Sequence, residues 1–326
     1  MKKLLLALLP LLLASTVSAQ DMTQYRAHIK VADQQYEDQN YQASADAFKA
    51  AFETLDGKAQ PNDRYNAACS YALAGDGESA FYHLFYLCRT SKYKNLDHIT
   101  TDPDLNSLHQ DDQWEELIAF VRANKEEAEK NLDKELVAVL NEIYKTDQGY
   151  RLEISGIEEE YGRDSEEMRA QWKKISHADS INTIKVCEIL DERGWLGADV
   201  VGDKGNTVLF LVIQHADLEV QEKYLPMMRE AVKAGNARSS SLALLEDRVA
   251  MRNGKRQVYG SQIGMDPDTG EYYLFPLEDP ERVDERRASV GLGPIADYIS
   301  NWELEWDVEA HKKMTAEREA KEKSEE

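Results

Sequence analysis

Between residues 25 and 122 the chain repeats a pattern of short amphipathic helices, and this repetition constrains the fold more than any other feature. Small and aromatic residues recur at helical spacing in one helix pair and again, at nearly matching positions, in the next. The positions are Ala32, Tyr36, Tyr41, Ser44, Phe48 and Ala51 in the first pair, and Ala68, Tyr71, Gly75, Ala80, Leu84 and Leu87 in the second. Small residues let paired helices approach closely, and aromatic residues fill the space toward the next pair. The pattern therefore predicts stacked helical hairpins.

The offset between Ser44 and Ala80, 36 residues, resembles that of tetratricopeptide repeats, whose usual period is about 34 residues. The loop at residues 56–62 can absorb the extra length, and a more degenerate third pair follows over residues 95–122. Two degenerate repeats also fit an ordinary antiparallel helical hairpin, so this alternative stays open. The resemblance implies a surface that binds a protein or peptide.

The amino terminus has the features of a secretory leader. Lys2 and Lys3 precede an apolar run over residues 4–13, which is followed by small residues that end at Ala19. We therefore expect cleavage after Ala19 and a periplasmic or secreted protein. It is not expected to be a lipoprotein, because the first cysteine is Cys69. No later segment approaches the roughly 20 apolar residues that a membrane span requires.

The chain carries 61 acidic and 39 basic residues, which gives it a formal net charge of −22. Such a surface repels nucleic acid and anionic lipid, so neither is expected as a partner, whereas cationic partners and divalent ions are compatible with it. Three cysteines are too few to build a disulfide scaffold. Cys69 and Cys88 fall on paired helices, where they either form a disulfide or stay buried thiols, and the second alternative is favoured.

Beyond a charged helix at residues 123–144, the pattern predicts further helices and one hairpin. The apolar run VLFLVI, within residues 207–215, fits a buried strand or a buried helix, and its helical flanks favour the helix. Alternation on both sides of a turn at residues 266–270 predicts a β-hairpin near residues 257–277. Other helices are predicted at residues 164–193, 218–234, 240–252 and 283–290. The predicted fold class is mainly α, with tetratricopeptide-like helical hairpins followed by a helical domain that carries a small β-hairpin.

The predicted organisation has four parts. A signal peptide at residues 1–19 precedes a tetratricopeptide-like helical repeat domain at residues 20–124, and a mostly helical domain spans residues 125–307. Residues 308–326 are mostly Lys, Arg and Glu, a composition that buries too little apolar surface to order itself, so we expect a charged tail that is a frayed or disordered helix.

An ordered succession of short motifs in the second half resembles one bacterial family, the domain of unknown function catalogued as number 6624. The resemblance covers residues 136–298. Its motifs include Gly194-Trp195, Gln214-His215-Ala216-Asp217, Asp247-Arg248, Tyr259-Gly260 and Arg286-Arg287. It implies no activity, ligand or catalytic residue.

Polar residues within these motifs are the candidate site residues. The catalytic candidates are His215, Asp247, Arg248 and Tyr259, and the ligand-binding candidates are Gln214, Gln257 and Gln262. Gathered in one pocket, they would supply a general base, an anion clamp and neutral hydrogen-bond donors. The alternative, which is favoured, is structural: a histidine beside a long apolar run is commonly a hydrogen-bonded core residue, and Asp with Arg is commonly an ion pair.

Two triplets, His177-Ala178-Asp179 and His215-Ala216-Asp217, invite a metal interpretation. Residues two apart do not share a helix face, so neither triplet is a ready-made chelate, and no metal is expected. Asp217 and Asp179 are predicted instead to cap helices. Convergence of both triplets on one ion stays open. No phosphate-binding glycine-rich loop is present, and no cofactor is expected.

These observations favour an exported binding module built on helical repeats rather than an enzyme. The alternative is a hydrolase-type enzyme that acts on an envelope component, with His215 as its general base.

Overall fold

The computed structural model describes residues 19–266 and 269–325, and it confirms a mainly α fold with a small β-hairpin. The predicted leader lies outside the described residues except for Ala19, and so do Pro267 and Asp268 of the predicted turn. The chain divides into two compact units, one ending at Lys130 and one beginning at Asn131. None of the described helices is long and apolar enough to cross a membrane.

In the first unit, successive helices pack against one another as the repeat pattern predicts. Small residues make the closest contacts: Ala45, Ala51 and Ala68 are fully buried, and the Ser44 hydroxyl bonds both a carbonyl of the preceding helix and the hydroxyl of Ser70, at 2.8 and 2.9 Å. The helices are α1 (Ala19–Glu37), α2 (Tyr41–Thr54), α3 (Pro61–Leu73), α4 (Gly77–Thr90), α5 (Leu96–Thr101), a 3₁₀ helix (Pro103–Leu108) and α6 (Asp112–Glu129).

Both cysteines of this unit are free. Cys69 on α3 and Cys88 on α4 are buried, in agreement with the favoured alternative of buried thiols. Burial raises the pKa of the Cys88 thiol to about 11, so the thiol stays protonated at neutral pH.

The second unit begins with long helices and ends with short elements around the hairpin. Its core is centred on α10, which packs against α7, α9, α11 and α12. The elements are α7 (Lys134–Leu152), α8 (Ile154–Tyr161), α9 (Glu166–Arg193), α10 (Ala198–His215), α11 (Leu218–Lys233), α12 (Ser239–Arg252), β1 (Ile263–Met265), β2 (Tyr272–Leu274), a 3₁₀ helix (Pro280–Arg282), α13 (Val283–Ser289), α14 (Ile295–Ile299), a second 3₁₀ helix (Ser300–Trp302) and α15 (Val308–Glu325).

The VLFLVI run is helical, as predicted, but its helix starts earlier than the glycine-rich sequence indicates. Helix α10 begins at Ala198 and continues across Gly202, whose φ of 72° kinks it. A positive φ is accessible to glycine at little steric cost, which explains this residue at the kink.

The hairpin is shorter than the alternating pattern predicts. Strands β1 and β2 are antiparallel, and Gly264 pairs with Tyr273. Residues 257–262, predicted as part of the first strand, form no strand.

The charged segment after residue 307 differs from the predicted frayed or disordered tail. It forms helix α15, where His311 and Thr315 are buried and the Arg318 guanidinium lies 3.3 Å from the centre of the Tyr273 ring. Two buried positions and ion pairs with the rest of the unit supply contacts that composition alone does not indicate.

Candidate functional sites

The sequence-predicted site residues do not gather around one cleft. Arg248 on α12 donates from Nε to Oε1 of Gln262 at 3.0 Å, and from Nη1 to the carbonyl of Gln214 at 3.1 Å. The amide of Gln257 is buried and donates to the carbonyls of Gln262 and Phe275. These contacts tie α10 and α12 to the loop at residues 257–262.

Asp247 holds the same loop from the interior. Its carboxylate is fully buried and accepts backbone N–H groups from Val258, Tyr259 and Ser261 at 2.7 to 3.2 Å. These bonds replace the strand ladder that the alternation predicts. Burial raises the pKa of the Asp247 carboxyl, although the three N–H groups oppose this shift. Among the described residues Asp247 forms no ion pair with Arg248.

Tyr259 lies at the loop's half-buried side. Its carbonyl accepts a hydrogen bond of 2.7 Å from Nη1 of Arg287, and burial raises the pKa of its phenol. The backbone of Tyr259 is therefore held from both sides, by Asp247 and by Arg287.

His215 faces a different set of residues, contributed by α7 and α9. Its Nδ1 lies 3.0 Å from Oδ1 of Asp147 on α7. Arg151, one turn further along α7, donates from Nη2 to Oδ2 of Asp179 on α9 at 2.8 Å, and from Nη1 to the Asp147 carbonyl at 2.6 Å. Three helices thus bring a histidine, an arginine and two aspartates together.

The Asp147 carboxylate is ionised and buried. Burial alone would raise its pKa, but the hydrogen bond and charge of His215, with bonds from its other neighbours, hold the pKa below the usual value. An ionised carboxylate only accepts hydrogen bonds, so we assign the shared proton to Nδ1 of His215. Its Nε2 has no hydrogen-bond partner among the described residues.

A cleft of about 470 Å³ opens beside this pair. We call it the His215 cleft, and the side of α9 forms much of its wall. Its lining residues are Arg151, Trp172, Ile175, Ser176, Asp179, Ser180, Thr183, His215, Ala216 and Asp217.

Four of these residues come from the His-Ala-Asp triplets: Asp179, His215, Ala216 and Asp217. Asp217 caps α11 by accepting the Val220 N–H at 2.9 Å, so this predicted cap is confirmed. The predicted cap at Asp179 is wrong, because Asp179 lies inside α9, where its carboxylate pairs with Arg151. Sequence analysis did not single out Asp147 or Arg151.

Asp179 from the first triplet and His215 from the second do lie close to each other. Donor atoms of Asp147, Asp179 and His215 all lie within 4.8 Å of one another, which is compact enough for one metal ion. The Arg151 guanidinium already lies 2.8 Å from Asp179 and 3.6 Å from Asp147. A cation would have to compete with this resident positive charge, so the arrangement favours an ion-pair network.

The first unit contains a cleft of about 460 Å³, which we call the acidic cleft. Four carboxylates and three aromatic rings line it, and no lysine or arginine does. The lining residues are Asp33, Tyr36, Glu37, Phe48, Tyr65, Asn66, Cys69, His98, Asp102 and Asp104.

Tyrosines orient two of these carboxylates. The Tyr36 hydroxyl donates to Oδ2 of Asp104 at 2.6 Å, and the Tyr65 hydroxyl donates to Oδ2 of Asp102 at 3.0 Å. Partial burial, followed by the charges of Asp63 and Glu37, raises the pKa of the Asp33 carboxyl. The acidic cleft therefore has a negative potential that no lysine or arginine of its lining neutralises, and its histidine, His98, lies 3.9 Å from Asp102.

Cys69, Asp102 and Asp104 form a second group compact enough for a metal ion. Burial and the neighbouring carboxylates raise the pKa of the Cys69 thiol well above its usual value. A protonated thiol is a poor metal ligand, since the thiolate is the coordinating form.

Comparison with curated proteins finds no match, and comparison with solved structures finds none either. A family model does match, and it covers most of the second unit and confirms the resemblance carried by the motifs there. The chain therefore belongs to the family of unknown function DUF6624, whose model matches residues 130–310, more than half of the chain.

Proposed function

We propose that the protein is an exported binding module whose first unit takes a cationic group of a peptide partner in the acidic cleft. One observation carries this proposal: four carboxylates and three aromatic rings line the cleft, without a lysine or arginine among them. Carboxylates attract ammonium and guanidinium groups, and aromatic faces stabilise the same cations. A basic side chain of a peptide fits both preferences.

The experiment measures binding of two fluorescein-labelled peptides by anisotropy, one with three lysines in an alanine and glycine background and one with three glutamates. We expect only the lysine peptide to bind. The double variant Glu37→Gln/Asp104→Asn should weaken binding about tenfold, which corresponds to roughly 1.4 kcal/mol.

The matched control is the double variant Glu126→Gln/Glu129→Gln, which removes two exposed carboxylates of α6 outside the cleft. It should change affinity less than twofold. Equal weakening by the control would mean that overall negative charge attracts the peptide, and the proposal would fail.

Export is proposed from the leader features alone, since residues 1–18 lie outside the described structure. The measurement is the intact mass and first residue of the protein recovered from the periplasm or medium. We expect Gln20 as the first residue. A cytosolic protein that retains Met1 would contradict this part of the proposal.

The hydrogen bond between Asp147 and His215 favours a second candidate function, hydrolase-type acid–base chemistry in the His215 cleft. Nε2 of His215 would take a proton from a water molecule while the water oxygen attacks the substrate. The imidazolium would then return that proton to the leaving group. The Asp147 carboxylate would orient the ring and stabilise the imidazolium meanwhile.

The test uses 4-nitrophenyl acetate, 4-nitrophenyl phosphate and a set of 4-nitrophenyl glycosides. If one is hydrolysed, His215→Ala should lower kcat/KM about 100-fold or more. Asp147→Asn should lower it too, while Ile184→Ala, at an exposed position outside the cleft, should not. Absence of turnover, or turnover that persists in His215→Ala, counts against this candidate.

A further inference from the structure

The charged groups of the His215 cleft already have partners within the protein. Arg151 is paired with Asp179, and His215 is bonded to the ionised Asp147. Asp217 is engaged as the cap of α11. An anionic ligand would be repelled by these carboxylates, and a cationic ligand would have to compete with Arg151 for them, so the cleft favours a neutral ligand.

One face of α9 supplies the rest of the wall. Trp172, Ser176 and Thr183 follow one another at intervals of four and seven residues, a spacing that places them on one side of a helix. The indole of Trp172 is unusually open for its size, with 52% of the residue exposed. The cleft thus combines a flat apolar platform with hydroxyl groups.

Polar atoms of the cleft residues also lack partners. Oδ1 of Asp179 is buried and accepts no hydrogen bond, and Nε2 of His215 has no partner among the described residues. A buried carboxylate oxygen without a donor is unfavourable, and a hydroxyl group is a suitable donor for it. A ligand that carries several hydroxyl groups would satisfy Nε2 of His215 directly, and Oδ1 of Asp179 once that side chain turns toward the cleft.

We propose that the His215 cleft binds a neutral saccharide. One face of a sugar ring packs on Trp172, and its hydroxyl groups bond Asp179, Arg151 and Nε2 of His215. The cleft volume of about 470 Å³ lies within the usual range for small-ligand pockets, about 300–1,000 Å³. This proposal names a ligand class for the cleft in which we placed the hydrolase-type chemistry. It rests on that proposed function only for the location of the site.

The experiment applies the purified protein to an array of neutral, amino and acidic oligosaccharides and measures the affinity of each hit by calorimetry. We expect a neutral oligosaccharide to bind. Trp172→Ala should weaken binding about tenfold or more, Trp172→Phe should weaken it less because a ring remains, and Asp179→Asn should weaken it as well.

The matched control is Ile184→Ala, which removes another exposed apolar side chain of α9 outside the cleft and should leave affinity unchanged. Circular dichroism and the thermal midpoint of each variant establish that it is folded. Binding of no saccharide, binding of acidic saccharides only, or binding that persists in folded Trp172→Ala would overturn the proposal.

Turnover separates this inference from the acid–base proposal. Saccharide binding that depends on Trp172, without hydrolysis that depends on His215, supports the ligand class and refutes the chemistry. Hydrolysis of 4-nitrophenyl acetate that depends on His215, in a protein that binds no saccharide, supports the chemistry and refutes the ligand class.

Discussion

At the residue scale, the buried Asp247 carboxylate contributes to stability by holding the loop at residues 257–262. Its oxygens accept the N–H groups of Val258, Tyr259 and Ser261. Asp247→Ala would leave these donors without an acceptor, so we expect it to lower the free energy of unfolding by about 3 kcal/mol or more. Asp247→Asn should cost less, because one oxygen remains. Urea unfolding measures both.

The control for this prediction is Glu285→Ala at an exposed position of α13, which should change stability by no more than about 0.5 kcal/mol. If Asp247→Ala were as mild as Glu285→Ala, the carboxylate would not be what holds the loop.

Sequence reasoning reached His215 but not the residues around it. His215 stood out because a polar residue at the edge of an apolar run needs a partner. That partner, Asp147, is 68 residues away, on a helix that carries two other acidic residues. Only the packing of α7 and α9 against α10 distinguishes this aspartate from its neighbours, so spacing along the chain carried no signal for it.

At the element scale, the contact between α7 and α10 depends on a glycine. A Cβ at Gly205 would meet the Val201 Cβ at 2.9 Å and Cδ1 of Leu140, on α7, at 3.1 Å. Because both neighbours are buried, we expect Gly205→Ala to destabilise the protein by about 1–3 kcal/mol in urea unfolding.

Gly149 provides the matched comparison, since it lies within α7 and a Cβ there would meet nothing within 4 Å. Gly149→Ala should stabilise the protein by about 0.5–1 kcal/mol, because alanine loses less backbone entropy in a helix. Similar effects from both substitutions would show that crowding at Gly205 is not decisive.

Helices were more predictable than the loop that follows them. Periodicity located α9, α11 and α12 within about two residues, because each has one apolar face and a recognisable end such as Gly194. Alternation over residues 257–264 was misleading beyond β1, since the N–H groups of Val258, Tyr259 and Ser261 bond a side chain rather than a strand. A buried carboxylate that substitutes for a neighbouring strand leaves no periodic signature.

At the scale of the whole molecule, the net charge follows from the composition. The sequence predicted the division into two units only in part. The charged segment at residues 123–144 was expected to be one helix, but α6 ends at Glu129 and α7 begins at Lys134. Asp133 caps α7 by accepting the Leu136 N–H at 3.0 Å. This cap, within a run of strong helix formers, is the local signal for the break.

Each unit also contains one buried histidine that resists protonation. Burial, then the charge of Arg64, lowers the pKa of His83 to about 4 in the first unit. Burial, then the charge of Arg256, lowers the pKa of His311 to about 4 in the second. In the unfolded chain both histidines bind a proton near pH 6.5. The unfolded state therefore binds more protons than the folded state between these values, and stability falls as pH decreases from 6.5 to 4.

We expect each histidine to cost roughly 3 kcal/mol over this interval, since one pKa unit corresponds to about 1.4 kcal/mol. Urea unfolding at pH 7 and pH 4.5 measures the loss. His83→Gln and His311→Gln should each reduce the difference between the two pH values, because glutamine does not titrate. The exposed His177→Gln should leave it unchanged. A pH dependence that survives in the double variant would refute this assignment, because carboxylates with lowered pKa values, such as Asp147, destabilise the protein only below about pH 4.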